Sequence, residues 1–184
     1  MSADTVDRDD LAAVAALPLG LAAPFLVYVA GASKEIARAE RVIRLLRESG
    51  VGVTFDWCAH MRALEGVPLT CEVAHESALT DIDAVKRARA VVLLEPGWDS
   101  QYVRGGGTQL VRTQTTGAWG ESTLAVGIGT PRIVARPPLP DGAAPEWQTC
   151  IFTALASLVC ADDDAAIRAV LHMAVTGVLP GGAS

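Results

Sequence analysis

Apolar and polar positions follow one another along this chain in blocks, and the blocks read in turn as buried strands and amphipathic helices. Phe25-Leu26-Val27-Tyr28-Val29-Ala30 is a continuous apolar run closed by Gly31-Ala32-Ser33. That is the pattern of a strand covered on both faces which turns tightly into a helix. Ser33 reads as the N-cap of a helix from Lys34 to Ser49, with Ile36, Ala39, Ile43 and Leu46 at helical spacing, Glu40 paired with Arg44 at i,i+4, and Gly50 as its stop. Val51 to Phe55 predicts a second strand, Glu76 to Ala88 a helix, Ala90 to Leu94 a third strand, Gly120 to Ile128 a helix and Arg132 to Ala135 a fourth strand. Beyond a proline-rich connection the pattern gives a helix from Trp147 to Ala156, a short fifth strand from Ser157 to Cys160, and a closing helix from Asp162 to Val175. Strand–helix units repeated in this way imply a five-stranded parallel sheet with helices on both faces, a three-layer α/β sandwich. One domain is expected over residues 25–176, with 1–24 an N-terminal tail or short helix and 177–184 a C-terminal tail.

Composition narrows the partners. With 184 residues, 51% hydrophobic and 20% charged, the chain suits one core. A net charge of −6 and a pI near 5.0 argue against nucleic acid, whose binding draws on clustered Lys and Arg, and favour a small molecule. Leu11 to Ala30 is long and apolar enough to cross a bilayer, but Pro18, Gly20 and Pro24 interrupt it. Asp4, Asp7, Asp9 and Asp10 precede it, the opposite of a signal peptide's basic flank. A cytoplasmic protein with no membrane partner is expected. Cys58, Cys71, Cys150 and Cys160 lack metal-ligand spacing and read as reduced, buried thiols. His60, His75 and His172 lack it too, so no metal and no cofactor is expected. His172 falls in an apolar helix as a structural residue. His60 and His75 flank a segment near the sheet edge, and each is either a proton donor or, more commonly for such residues, a solvent-exposed histidine.

In a parallel sheet the strand-to-helix turns gather on one edge, and here they carry most of the reactive residues. The first turn offers Gly31, Ala32 and Ser33, the second Asp56 and Trp57, the third Trp98, Asp99, Gly117, Trp119 and Glu121. Glu121 follows Gly117-Ala118-Trp119-Gly120, which predicts a carboxylate in the first turn of a helix. Unpaired N–H groups and the positive end of the dipole would hold it ionised there, either as a nucleophile or as a dipole-complementing surface acid. Asp81, near the start of its predicted helix, points to the same edge or forms a local cap with Thr80 and Asp83. Trp57, Trp98 and Trp119 could stack on a ring, although packing is the commoner role. The long connection from Gly97 to Thr116 reads as a lid or binding loop. Within it, Gly105 to Gly107 with Arg104 and Arg112 could cradle a phosphate, a mobile loop being the plainer reading.

Val27-Tyr28-Val29-Ala30-Gly31, Asp81-Ile82-Asp83-Ala84-Val85-Lys86-Arg87-Ala88 before a buried strand, and Gly117-Ala118-Trp119-Gly120-Glu121 followed by Gly129-Thr130-Pro131 resemble the nucleoside 2-deoxyribosyltransferase-like proteins. The resemblance runs from about Phe25 to Val175. It implies a flavodoxin-like (Rossmann-like) sheet and cleavage or exchange of the N-glycosidic bond of a nucleoside or nucleotide. Glu121 matches the family's nucleophile, Asp81 its acid and Tyr28 the tyrosine that holds the glutamate. Gly31, Ala32, Ser33, Asp56, Trp57, Trp98, Gly117 and Trp119 are the expected substrate contacts. The chain departs from the family at Thr123, where a glycine is usual, at Thr130, where Gly-Lys-Pro has its lysine, and at Thr115, where an acid often stands. Those departures leave a catalytically inactive nucleotide-binding or nucleotide-sensing module of the same fold as the alternative. Breaking such a bond builds positive charge on the sugar and negative charge on the base, so it needs an anion beneath the anomeric carbon and a proton donor at the base. Glu121 suits the first role; Asp81 is expected to contact the base or donate to it. The family's assembly and a mean hydropathy of +0.32 both point to a homodimer or higher homo-oligomer.

Overall fold

Ala90–Leu94, five apolar residues all at most 2% exposed, forms the middle strand of the molecule. A run that apolar has no polar face to offer water, so it takes a sheet position covered on both sides. The computed structural model describes residues 24–102, 108–112, 116–137 and 155–181, with side chains omitted at 98–102, 108–112 and 116. Five strands pair in parallel: β1 (Leu26–Ala30), β2 (Gly52–Val53), β3 (Ala90–Leu94), β6 (Arg132–Ala135) and β7 (Leu158–Cys160), in the spatial order β2-β1-β3-β6-β7. Counted within this sheet alone, the order is the flavodoxin-like 2-1-3-4-5, with the switch point between β1 and β3. The remaining strands, β4 (Trp98–Tyr102) and β5 (Thr108–Arg112), form an antiparallel pair outside the sheet.

The helices are α1 (Ile36–Glu48), α2 (Trp57–Ala63), α3 (Cys71–Arg87), α4 (Thr116–Gly127) and α5 (Asp163–Thr176). α1 and α5 pack together on one face of the sheet, and α3 and α4 on the other, against β1 and β3. On the α1/α5 face Arg38 acts as a buckle. Its Nε and Nη2 donate to the Asp163 carboxylate at 2.9 and 2.7 Å, and its Nη1 donates to Glu35 Oε2 at 2.9 Å and to the Glu95 carbonyl at 2.8 Å. Glu35 Oε1 in turn accepts from the Gly97 amide at 2.6 Å. A planar guanidinium with several donors suits such a junction, which ties the turn after β1 to the end of β3 and the start of α5.

Several local expectations need correction. Ser33 makes no N-cap bond; the chain enters α1 through a 3₁₀ turn, Ser33–Glu35, closed by the Glu35 amide on the Ala32 carbonyl at 2.8 Å. Arg44 pairs with Glu48, while Glu40 pairs with Arg62 of α2. That short helix falls where only a turn was expected, and Asp56 starts it by accepting from the Ala59 amide at 3.0 Å. β2 shrinks to two residues. α3 starts at Cys71 rather than Glu76, capped by Thr70 Oγ1 on the Val73 amide at 3.2 Å. The β4–β5 hairpin occupies part of the expected lid. Cys58 and Cys160 are buried free thiols, but Cys71 is exposed. The N-terminal tail up to residue 23, most of the Trp147 to Ala156 helix, and Cys150 lie outside the described residues. Among those described, no helix is long and apolar enough to cross a membrane, and no group of three or more His, Cys, Asp and Glu could hold a metal.

Candidate active site

Side chains on a strand alternate between faces, and the alternation along β1 sends Tyr28 toward α3 and α4. Its hydroxyl, fully buried, donates to Asp81 Oδ1 at 2.7 Å and stands beside the carboxyl of Glu121. Three groups far apart in sequence thus meet on one phenol. α3 reaches this point through an i,i+4 row: Val73, Ser77, Asp81 and Val85 lie on its inward side, whereas Leu79 and Ile82 point outward and are 51% and 38% exposed. Asp81 is therefore a mid-helix residue. The local cap fails, since Thr80 Oγ1 bonds back to the Glu76 carbonyl at 2.9 Å and Asp83 pairs with Arg87.

Glu121 is the sixth residue of α4, one turn later than its expected place at the dipole's positive end. Its electrostatics are consequently reversed. Burial pushes its carboxyl up to about 7, the neighbouring Asp81 charge adds to the rise, and the bond to Tyr28 opposes it. Asp81 is also raised by burial, with the Tyr28 hydrogen bond and the nearby charge of His60 pulling it down. Tyr28 itself is driven upward, first by burial and then by the two carboxylates, so it remains a neutral donor. Two acids sharing one hydroxyl in a poorly hydrated place can hold a proton between them near neutrality.

Asp81 and Glu121 open into a cavity of about 350 Å³, within the range usual for small-molecule sites, with Tyr28 behind them. Gly31 and Ser33 line it from the turn after β1, Trp57, His60 and Met61 from α2, Ser77 and Asp81 from α3, and Gly117, Ala118 and Glu121 from α4. One glycine makes room. A Cβ on Gly31 would stand 3.3 Å from Cζ2 of Trp57, tighter than side chains usually pack, whereas one on Gly117 would sit in ordinary contact 3.7 Å from Glu121 Oε1. Trp57 is held rigidly, its indole N–H donating to the Val29 carbonyl at 2.7 Å.

Other expected contacts lie elsewhere. Asp56 caps α2, takes Arg47 Nη1 at 2.6 Å on its other oxygen, and lines a groove between α1 and α2 instead. Ala32 is 2% exposed within its turn, and Trp119 packs half-buried against the core; neither lines the cavity. The side chain of Trp98 falls outside the described residues. Conversely, Ser77 and Met61 line the site without having been singled out, and Ser77's place follows from standing one helical turn before Asp81. Larger hollows occur at the opposite edge of the sheet, about 530 Å³ around Phe25, Arg89 and Met173, and between α2 and α3, about 480 Å³ around Ile36, Leu64, Leu69 and Val73. Neither gathers a set of acids, and in the groove between α1 and α2, about 580 Å³, the acids Glu40, Glu48 and Asp56 are each paired with an arginine.

No protein-family model and no curated protein matches the chain. Among solved structures, a CMP N-glycosidase of Clostridium botulinum, BcmB, is similar with a TM-score of 0.43 and 15% identity, covering 78% of this chain and 95% of that one.

Proposed function

We propose that this protein cleaves or exchanges the N-glycosidic bond of a nucleoside or nucleotide, with Glu121 as the nucleophile. The observation that carries this reading is the gathering of Asp81 and Glu121 around the Tyr28 hydroxyl, with both acids on the wall of a cavity. It agrees with the roles implied by the family resemblance. In the first step a Glu121 oxygen bonds to the anomeric carbon as the carbon–nitrogen bond breaks. The bonding pair leaves on the base nitrogen, which takes a proton. In the second, water or another base attacks the same carbon and frees the carboxylate. Tyr28, anchored by Asp81, orients Glu121, while Gly31, Ser33, Trp57 and Gly117 shape the space for the substrate.

The test is a panel of ribo- and deoxyribonucleosides and their 5′-monophosphates, assayed for free base with ligand-induced melting shifts measured alongside. At least one member should release base. For that substrate the acid limb of kcat/KM should rise with pH through about 7, because only the ionised Glu121 is nucleophilic and its carboxyl is held near that value. Melting shifts with no base release anywhere in the panel would overturn the reading.

We also propose a homodimer. Leu79 and Ile82 leave an apolar stripe on the outer side of the helix that carries Asp81, and Val67 and Leu69 nearby are 47% and 78% exposed. Light scattering should give twice the 19.2 kDa chain mass. A clean single-chain mass at micromolar concentration would rule the dimer out.

A further inference from the structure

Resting on that reading of Glu121, we infer that His60 is the acid that protonates the departing base. An in-line displacement puts the leaving nitrogen on the far side of the anomeric carbon from the nucleophile, so the proton donor must stand on a different wall of the cavity from Glu121. Asp81 is poorly placed for this, because Tyr28 ties it to the nucleophile's own side. His60 lines the cavity from α2, whereas Glu121 comes from α4.

The hydrogen bonds around the ring define which nitrogen works. Ser77 Oγ donates its only proton to the Val73 carbonyl at 2.8 Å, so at 2.9 Å from His60 Nε2 it can only accept. Nε2 therefore carries a hydrogen in both charge states, and Nδ1 is the atom that gains and loses the mobile proton. Phe55 packs against the ring with centroids 5.5 Å apart and steadies its plane. Asp81 is near enough for its own carboxyl to be pulled down by the imidazolium charge. His60 is thus gripped on one nitrogen and packed on one face, within the same cavity as Glu121.

As the carbon–nitrogen bond breaks, Nδ1 gives its proton to the base nitrogen, which keeps the bonding pair, and Glu121 bonds to the sugar. In the return step the attacking water or incoming base gives a proton to Nδ1 while Glu121 is released, so protons and electrons balance over the cycle. His60 consequently matters in proportion to how badly the leaving group needs a proton.

The experiment compares His60→Gln with the unaltered protein on guanosine and other ordinary nucleosides, then on two kinds of substrate whose leaving groups depart without protonation. These are 7-methylguanosine and the 4-nitrophenyl ribosides and 2-deoxyribosides. His60→Gln should lose about a hundredfold or more on ordinary nucleosides yet stay within about threefold of the parent on the activated ones. Ser77→Ala, which frees the ring without deleting it, should show the same selectivity with a smaller loss, and covers the case in which His60→Gln folds poorly. Equal losses on both substrate kinds, or none on ordinary nucleosides, would overturn the role of His60. Glu121→Ala separates this from failure of the underlying reading: it should be inactive on both kinds, and activity of that variant on activated substrates would remove Glu121 while leaving His60 to be judged by its own selectivity.

Discussion

Replacing Glu121 with alanine is expected to reduce base release from the best substrate by about a thousandfold or more, because the covalent route then has no acceptor for the sugar. Folding should survive. The side chain is a partly buried carboxyl whose charge the surroundings disfavour, so its removal takes away a burden rather than a prop. Steady-state kinetics and a melting curve on the same preparation decide the matter. A variant that keeps most of its activity would exclude Glu121 as nucleophile, and one that melts far below the parent would make it a structural residue.

Glu121→Gln should be more stable than the parent above neutral pH and nearly equal to it in acid. Between the ordinary carboxyl value of 4.5 and about 7, the folded protein retains a proton that the unfolded chain has already released. Stability therefore falls as pH rises through that window, and the loss is complete above it. Glutamine has the same shape, can donate its amide N–H to the Tyr28 oxygen, and cannot ionise. The expected gain at about pH 8 is about 2–3 kcal/mol, vanishing near pH 4, as read from urea midpoints at the two values. An equal midpoint at both would mean that the carboxyl is better hydrated than its burial implies. Together the two substitutions make a sharp pair, since one position would set both the turnover and the alkaline stability.

The central strands of the parallel sheet were the most legible part of this chain. β3 and β6 run over the residues their apolar runs predict, and β1 differs by one residue, because a doubly covered strand writes its burial directly into the sequence. Helix starts were harder to read. α3 begins five residues early because Thr70 caps a polar, largely exposed first half with almost no apolar periodicity. α2 escaped notice for a related reason, being seven residues long and signalled mainly by its Asp56 cap. The site suffered from the same blindness. Placing Glu121 relative to the start of α4 decided whether it met a helix dipole or a buried tyrosine, and a shift of four residues in that start reversed its charge preference. That Tyr28, Asp81 and Glu121 could meet was visible only through the family pattern, since no local rule connects positions separated by 53 and 40 residues.

Arg38 and its partners lie on one face of the sheet, Tyr28 and its partners on the other, and the two sets share no residue. Substitutions in unconnected networks tend to add in free energy. The protein can therefore change on the face that carries Tyr28, Asp81 and Glu121, where crowded acids weaken the fold, and recover what is lost through α1 and α5 without disturbing the acids. For directed evolution this separates the work: new specificity would be sought around α2, α3 and α4, and robustness would be built beforehand on the opposite layer.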